Sequence, residues 1–380
     1  MRLCAFAPSR LKFFIPPRRY PLQSSSAATS DPGPDGPRLA LLSARDRPRG
    51  RGPVMRKCIR DAVVVITGAS SGIGRAAALA FARRGARVVI AARNEAALEA
   101  VAAECASVGA PALAVPTDVR DEHAVRALAR AAVEVFGRID VWVNNAAVFL
   151  YARADEAPYE AYRQVIETNL LGYVHGARAV LPCFRAQGAG VLINNVSVLG
   201  KFGAPTMSAY VISKFGVLGL TSCLRQELSS TPDIHVCNLL PATIDTPIYQ
   251  HAGNFTGRAV QPIRPIVDPE RVAAAMVSLA ERPRRDVYVG AAGRITAAAF
   301  VAFPGLMERL FAAYTLRATF LDRAAPHTDG NIFVPMKHWT GVTGGWRASS
   351  GVAALLDTAR AFAGLALALP STAAERLRPR

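Results

Sequence analysis

The sequence predicts an α/β protein: an open, doubly wound sheet of seven parallel strands with helices on both faces, continued by a C-terminal helical extension. Three observations carry this. Short, continuous apolar runs recur between residues 62 and 290, as strands buried on both faces of a parallel sheet require. Helical stretches separate them, which calls for right-handed crossovers within one sheet. A glycine-rich turn follows the first run immediately, where sheets of this kind bind phosphate.

Composition narrows the classes. With 380 residues and 51% hydrophobic content, the chain can bury a sizeable core as one large domain or two smaller ones. The net charge of +17 is unevenly placed, because residues 1–60 hold 13 Lys/Arg against 3 Asp/Glu. The rest is spread without a block of like charge. No basic stripe is interleaved with aromatics, so a nucleic-acid groove is not expected. The six cysteines are scattered without a CxxC pair, which argues against a disulfide framework or a metal site and for a reducing compartment. No uncharged apolar run reaches the roughly 18 residues of a membrane span.

In chain order, residues 1–57 read as a leader, with "SDPGPDGPR" and "RDRPRGRGPVMRK" and no helical or strand periodicity. Three readings stay open: a disordered tail, an over-extended start with Met55 as initiator, or an Arg- and Ser-rich organelle transit peptide. The expected location is cytoplasmic, or an organelle if residues 1–54 are a transit peptide. The seven runs are "AVVVIT" from Ala62, "ARVVIAA" (86–92), "PALAVP" (111–116), "IDVWVNN" (139–145), "GVLINNVS" (190–197), "IHVCNLLP" (234–241) and "DVYVG" (286–290). They place the sheet domain at 58–292. An extension, 293–380, follows: helices around 295–320 and 352–369 flank a loop, "TDGNIF…TGVTGGWR". Such helices can cover a substrate mouth, mediate dimer contacts or lie peripherally on a membrane.

The turn after the first run is "TGASSGIGR", Thr67 to Arg75, with spacing GxxxGxG (Gly68, Gly72, Gly74). Glycines let the backbone turn tightly and approach a pyrophosphate, while the helix N-terminus offers free N–H groups. Ser70 and Ser71 add hydroxyl donors, and Ile73 sits between the last two glycines. An NAD site wants a carboxylate about 20 residues on, for the ribose 2′-OH. Here the second strand ends in Ala92-Arg93. An arginine pairs with a 2′-phosphate where a carboxylate repels it, so NADP(H) is favoured over NAD(H). Arg75 is placed to add a second charge.

Further motifs then occur in order: "TDV" (117–119), "NNAA" (144–147), "TNLLG" (168–172), "NVS" (195–197), "YVISK" (210–214) and "PATIDT" (241–246). Together with the loop they make residues 58–292 resemble the short-chain dehydrogenase/reductase family, whose fold is Rossmann-like. Each motif is weak alone; in register they are specific. Ser197 stands thirteen residues before Tyr210, the separation found in that family.

The resemblance implies an oxidoreductase that moves a hydride between NAD(P) and a small ketone, aldehyde or secondary alcohol, working as a homo-oligomer. Tyr210 is then the general acid/base. A free phenol has a pKa of about 10, too high for efficient work near neutrality. Lys214, one helical turn on, is expected to favour the phenolate and to hold the nicotinamide ribose. A compact ammonium suits both tasks, which explains one of only five lysines in a chain with 45 basic residues. Ser197 is implied to hold the substrate oxygen, and Asn169 to position a water beside Lys214. By the same mapping Asp118 and Val119 meet the adenine, Asn145 and Ala146 line the cofactor, and Ile244 and Thr246 touch the nicotinamide amide and diphosphate. A rival reading is a catalytically silent NADP-binding regulator.

Two positions depart from the family: Ala147 and Ala242 stand where it has glycine. If either needs φ > 0, alanine costs about 1 kcal/mol. The segment after Thr246, "PIYQHAGNFTGRAVQPIRPIVDP", takes the place of the substrate lid. Its fixed charges are Arg258, Arg264 and Asp268, and its aromatics Tyr249 and Phe255, which fits a largely apolar substrate. His251 is placed to contact substrate or to face solvent from the loop, the second being the preferred reading.

Overall fold

The computed structural model describes residues 12–14 and 59–347. Most of the leader and the helix expected at 352–369 lie outside the described residues. Along the chain lie β1 (Lys12–Phe14), β2 (Val63–Thr67), α1 (Gly72–Arg83), β3 (Arg87–Ala92), α2 (Glu95–Ser107), β4 (Ala112–Pro116), α3 (Glu122–Phe136) and β5 (Val141–Asn144). Next come β6 (Leu150–Tyr151), α4 (Tyr159–Ile166), a π-helical turn (Glu167–Leu171), α5 (Gly172–Gln187), β7 (Gly190–Asn195), α6 (Ser208–Glu227) and β8 (Ile234–Pro241). The rest is β9 (Gly253–Asn254), β10 (Arg258–Val260), α7 (Pro269–Glu281), β11 (Asp286–Val289), α8 (Ala291–Ala302), α9 (Pro304–Thr319) and β12 (Phe320–Ala324).

All seven apolar runs form strands. They pair in parallel in the order β4-β3-β2-β5-β7-β8-β11. An eighth strand corrects the reading of the leader: β1 adds antiparallel to β4, with Phe13 opposite Leu113. Three residues are too few to show a period of two. What holds them is the open edge of β4, the Phe13 ring 5.7 Å from that of Phe136, and a Lys12–Glu99 ion pair.

The strands are valine- and isoleucine-rich because both faces are covered. On one face Ile66, Ile90 and Val143 pack with Phe81, Leu98 and Met276 from α1, α2 and α7. On the other, Val65, Trp142 and Leu192 pack with Leu128, Val180 and Leu224 from α3, α5 and α6. Strand order reverses between β2 and β5, which opens a crevice beyond their carboxyl ends. Side chains cap the neighbouring helices: Asn94 accepts from Ala97 N at α2, and Asp121 from His123 N and Ala124 N at α3. Helix α1, at the crevice, has no side-chain cap.

A polar thread crosses the buried sheet. Trp142 Nε1 donates to Asn144 Oδ1 (2.8 Å), Asn144 Nδ2 to Asn194 Oδ1 (3.0 Å), and Asn194 Nδ2 to Thr221 Oγ1 (2.9 Å). Thr221 in turn donates to Asn238, and Asn238 to Asp286. Helix α5 approaches this thread through Gly176, where a Cβ would lie 2.1 Å from Asn144 Oδ1 and 2.7 Å from Trp142 Nε1. Gly176→Ala is therefore expected to push α5 off β5 and destabilise the protein by about 2–3 kcal/mol, read as a lowered urea midpoint. An unchanged midpoint would show that the helix can shift freely there.

Candidate active site

The extended strand end at Asn195 and the first turns of α6 build the centre of the site. Tyr210 and Lys214 lie one turn apart on α6, both buried. Lys214 Nζ donates to Asn195 O (3.0 Å) and Tyr173 Oη (3.1 Å), and Tyr173 Oη donates to the same carbonyl (2.7 Å). The amine stands 5.5 Å from the Tyr210 ring centroid. The Tyr210 ring also packs at 4.4 Å against that of Phe149. Ser197, just past β7, accepts from Leu199 N (3.1 Å).

The electrostatics differ from the sequence expectation. Burial holds Lys214 down at about 7. Burial also pushes Tyr210 up to about 12, against an opposing hydrogen bond from Ser197. Lys214 thus does not pull the phenol below its ordinary value in this structure. Its amine is aimed at Asn195 O and Tyr173, and desolvation favours the neutral form of both groups.

With the exception of Asn169 and Arg75, every residue expected to bind cofactor or catalyse lines one continuous cleft. At its phosphate end Gly68 has φ +66°, and a Cβ there would lie 2.6 Å from Ala146 Cα. A Cβ at Gly74 would lie 2.1 Å from Gly68 O. Asn145 Nδ2 donates to Thr67 O (3.0 Å) and Gly68 O (3.1 Å), and Asn195 Nδ2 donates to Asn145 Oδ1 (2.9 Å). Thr246 packs against Gly72 across the opening. Ile244 is buried beside Val267.

Other expected residues are placed less simply. Asn169 is fully buried in the π-helical turn, where its amide brackets Val148: Oδ1 accepts from Val148 N (2.8 Å) and Nδ2 donates to Val148 O (2.9 Å) and Ser213 Oγ (3.3 Å). Asp118 lines the cleft, but its carboxylate is chelated by Arg120 (2.6 Å). Burial raises the Asp118 pKa, and the Arg120 hydrogen bonds outweigh that and leave it lowered. Arg93 gives Nη1 to Ile332 O (3.1 Å) and Phe333 O (3.0 Å) and Nη2 to Asn331 O (2.6 Å). Three of its five donors are used and two remain. Arg75, read as a second phosphate charge, is instead paired with Glu104 and Thr340 O.

The reading of His251 is corrected: it is buried, and its Nε2 donates to His338 O (3.2 Å). Ala147 and Ala242 carry no left-handed strain. The added methyl of Ala242 faces Gly290 and Gly293, where Cβ atoms would stand 2.9 and 3.3 Å from it. Those two glycines are how the fold accommodates the substitution.

The residues fit a dinucleotide. A helix N-terminus without a side-chain cap, glycines whose side chains would fill the cradle, and a basic end at Arg93 lie along one cleft. Two buried oxygens there, Thr168 Oγ1 and Asn195 Oδ1, have no protein partner. The sequence reading missed Tyr173, Asn195 and Phe149, and it missed Met307, Phe311 and Tyr314 of α9, which line the mouth. For two of these the signal was there: Tyr173 directly follows "TNLLG", and Asn195 opens "NVS". Among the described residues no helix is long and apolar enough to cross a membrane.

A family model described as short chain dehydrogenase matches residues 62–255. An oxidoreductase of Bacillus subtilis, YxnA, is 36% identical over 299 residues, covering 77% of this chain and 84% of the relative. Among solved structures, an alcohol dehydrogenase of Thermococcus sibiricus complexed with 5-hydroxy-NADP is 29% identical. The match covers 60% of this chain and 95% of that one, with a TM-score of 0.53. A short-chain dehydrogenase/reductase of Burkholderia phymatum in complex with NAD is 26% identical, over 71% of this chain and 100% of that one, with a TM-score of 0.60.

The buried amine makes stability depend on pH. The folded-state pKa of Lys214, about 7, lies below its unfolded value of 10.5, so between these the unfolded chain binds the extra proton. Stability owed to this group is complete above the unfolded value and is lost as pH falls through the folded one. Relative to Lys214→Met, the wild type is expected to gain stability as pH rises across that window, by at most about 1.4 kcal/mol per pH unit. Urea denaturation of both proteins at stepped pH measures it; a flat difference would mean the amine stays charged when buried.

Proposed function

Since the chain belongs to the short-chain dehydrogenase/reductase family, we propose that it is an NADP(H)-linked oxidoreductase interconverting a ketone or aldehyde with its alcohol. The observation that carries this is the convergence of the Tyr210 and Ser197 hydroxyls and the Lys214 amine in one cleft with the glycine loop. When bound, the nicotinamide supplies or takes the hydride. The protein's part is the proton and the geometry. Tyr210 Oη gives its proton to the carbonyl oxygen in reduction and takes one from the alcohol in oxidation. The Ser197 hydroxyl holds that same oxygen. Lys214, when protonated, has three donors; two serve Asn195 O and Tyr173, and the third is left for a ribose hydroxyl. Charging Lys214 draws the Tyr210 pKa down from about 12, so the protonation of the amine sets the readiness of the phenol. Asn169 acts as a positioning residue, fixing the chain at Val148 and Phe149, next to the Tyr210 ring.

NADP(H) is preferred on the strength of Arg93, which directly follows β3 where an NAD site has a carboxylate and keeps two donors for a 2′-phosphate. The substrate is apolar. Phe149, Tyr151, Phe202, Met207, Met307 and Phe311 wall the cleft around Tyr210.

Tyr210→Phe is expected to lower kcat for reduction of apolar carbonyls at least about 100-fold while NADPH still binds. Arg93→Ala should raise KM for NADPH about tenfold and leave that for NADH nearly unchanged. NADPH oxidation followed over a carbonyl panel tests both. Tight NADPH binding without turnover of any substrate would favour the silent-regulator reading instead.

A further inference from the structure

Residues 325–347 have almost no regular secondary structure, yet they are fastened along the whole cleft. At the substrate end the backbones of Asn254 and Thr328 exchange hydrogen bonds (2.7 and 3.0 Å), and Asn331 N donates to His251 O (2.8 Å). At the adenosine end the carbonyls of 331–333 collect Arg93, and Asn94 Nδ2 donates to Met336 O (3.1 Å). Over the phosphate loop Arg75 Nη1 donates to Thr340 O (2.7 Å) and Gly72 N, at the start of α1, to Gly341 O (2.9 Å). The segment then returns to the lid. There Asp245 Oδ1 accepts from both Gly344 N (3.0 Å) and Trp346 N (2.9 Å), and Trp346 Nε1 donates to Gln250 Oε1 (3.0 Å).

The backbone is pressed against the lid where it has no side chain. A Cβ at Gly330 would lie 2.1 Å from His251 O, and one at Gly344 2.5 Å from Thr246 O. Asn331, Pro335, Met336 and Thr340 line the same cleft as the glycine loop. The groups that fasten the segment, Gly72 N–H and Arg93, are also those to which the dinucleotide reading assigns phosphate.

We infer that residues 328–347 form the outer wall of the dinucleotide site, that Asp245 is the positioning residue latching this wall shut, and that the cofactor exchanges when the wall lifts. This rests on the dinucleotide reading of the cleft. Asp245 is itself buried, and its carboxylate is the only one hydrogen-bonded to two backbone N–H groups of the segment among the described residues. Its removal strands both donors and frees the end of the wall that closes against Thr246.

The test uses the full chain and NADPH fluorescence. Wild type should bind NADPH. Asp245→Ala should raise its dissociation rate, measured by stopped-flow displacement with excess NADP, at least about tenfold and raise KM for NADPH without lowering kcat. Asp245→Asn, which keeps an accepting Oδ1, should hold the dissociation rate close to that of wild type. Trypsin gives a second readout at Lys337, which is exposed on the wall. Cleavage there should be slowed by NADPH in wild type, and in Asp245→Ala should be faster even without cofactor. If Asp245→Ala does not fold, Trp346→Ala serves for the same measurements. An unchanged dissociation rate in a folded variant, or cleavage at Lys337 indifferent to saturating NADPH, overturns the inference. Failure of wild type to bind NADPH or NADH overturns the dinucleotide reading itself, before any variant is compared.

Discussion

A desolvated amine, Lys214, is the constraint around which this molecule is arranged. An ammonium taken out of water is costly unless hydrogen bonds replace its shell. Here the replacements are the carbonyl at the end of β7 and the hydroxyl of Tyr173 on α5. Satisfying them fixes where β7 stops, how deep α5 sits and which face α6 turns inward. The same Asn195 whose carbonyl takes the lysine uses its side chain to hold Asn145, which holds the carbonyls of Thr67 and Gly68. The residues proposed for proton transfer and those of the glycine loop, some strands apart in sequence, are therefore joined by one hydrogen-bonded thread.

The extension past residue 290 completes this frame at two places. Helices α8 and α9 bring Thr296, Met307, Phe311 and Tyr314 to the mouth of the cleft. Phe300 of α8 stacks on Phe202 at 4.7 Å, and Phe311 of α9 meets Phe202 edge-on at 5.1 Å. Strand β12 pairs with β10 of the lid. The irregular segment that follows reaches the opposite, adenosine end. One addition to the sheet domain thus reaches both the apolar end and the glycine-loop end of the cleft.

Much of this was legible in the sequence, for physical reasons. A strand buried on both faces can only be an unbroken apolar run, and all seven runs formed strands. The glycine spacing was legible because a Cβ at Gly68 or Gly74 would strike backbone. Tyr210, Lys214 and Ser197 were visible as a spacing, whereas the direction of the Tyr210 pKa was not, since it depends on where the Lys214 amine points. The segment over Arg93 left no pattern because its main contacts are made by backbone carbonyls, which every residue has. His251 looked like a loop residue for a related reason: what buries it lies 87 positions downstream. Ala242 looked like a liability until Gly290 and Gly293 appeared opposite it.

The short strand β1 has a bearing on biosynthesis and handling. Its three residues cover the hydrogen-bonding rim of β4 from Ala112 to Ala114. A shorter polypeptide starting at Met55, or one trimmed there after import, would lack that cover. The bared rim, with its unpaired backbone groups, is a template on which another chain can add a strand. The solubility and self-association of long and short forms should therefore differ, although residues 12–14 do not line the cleft.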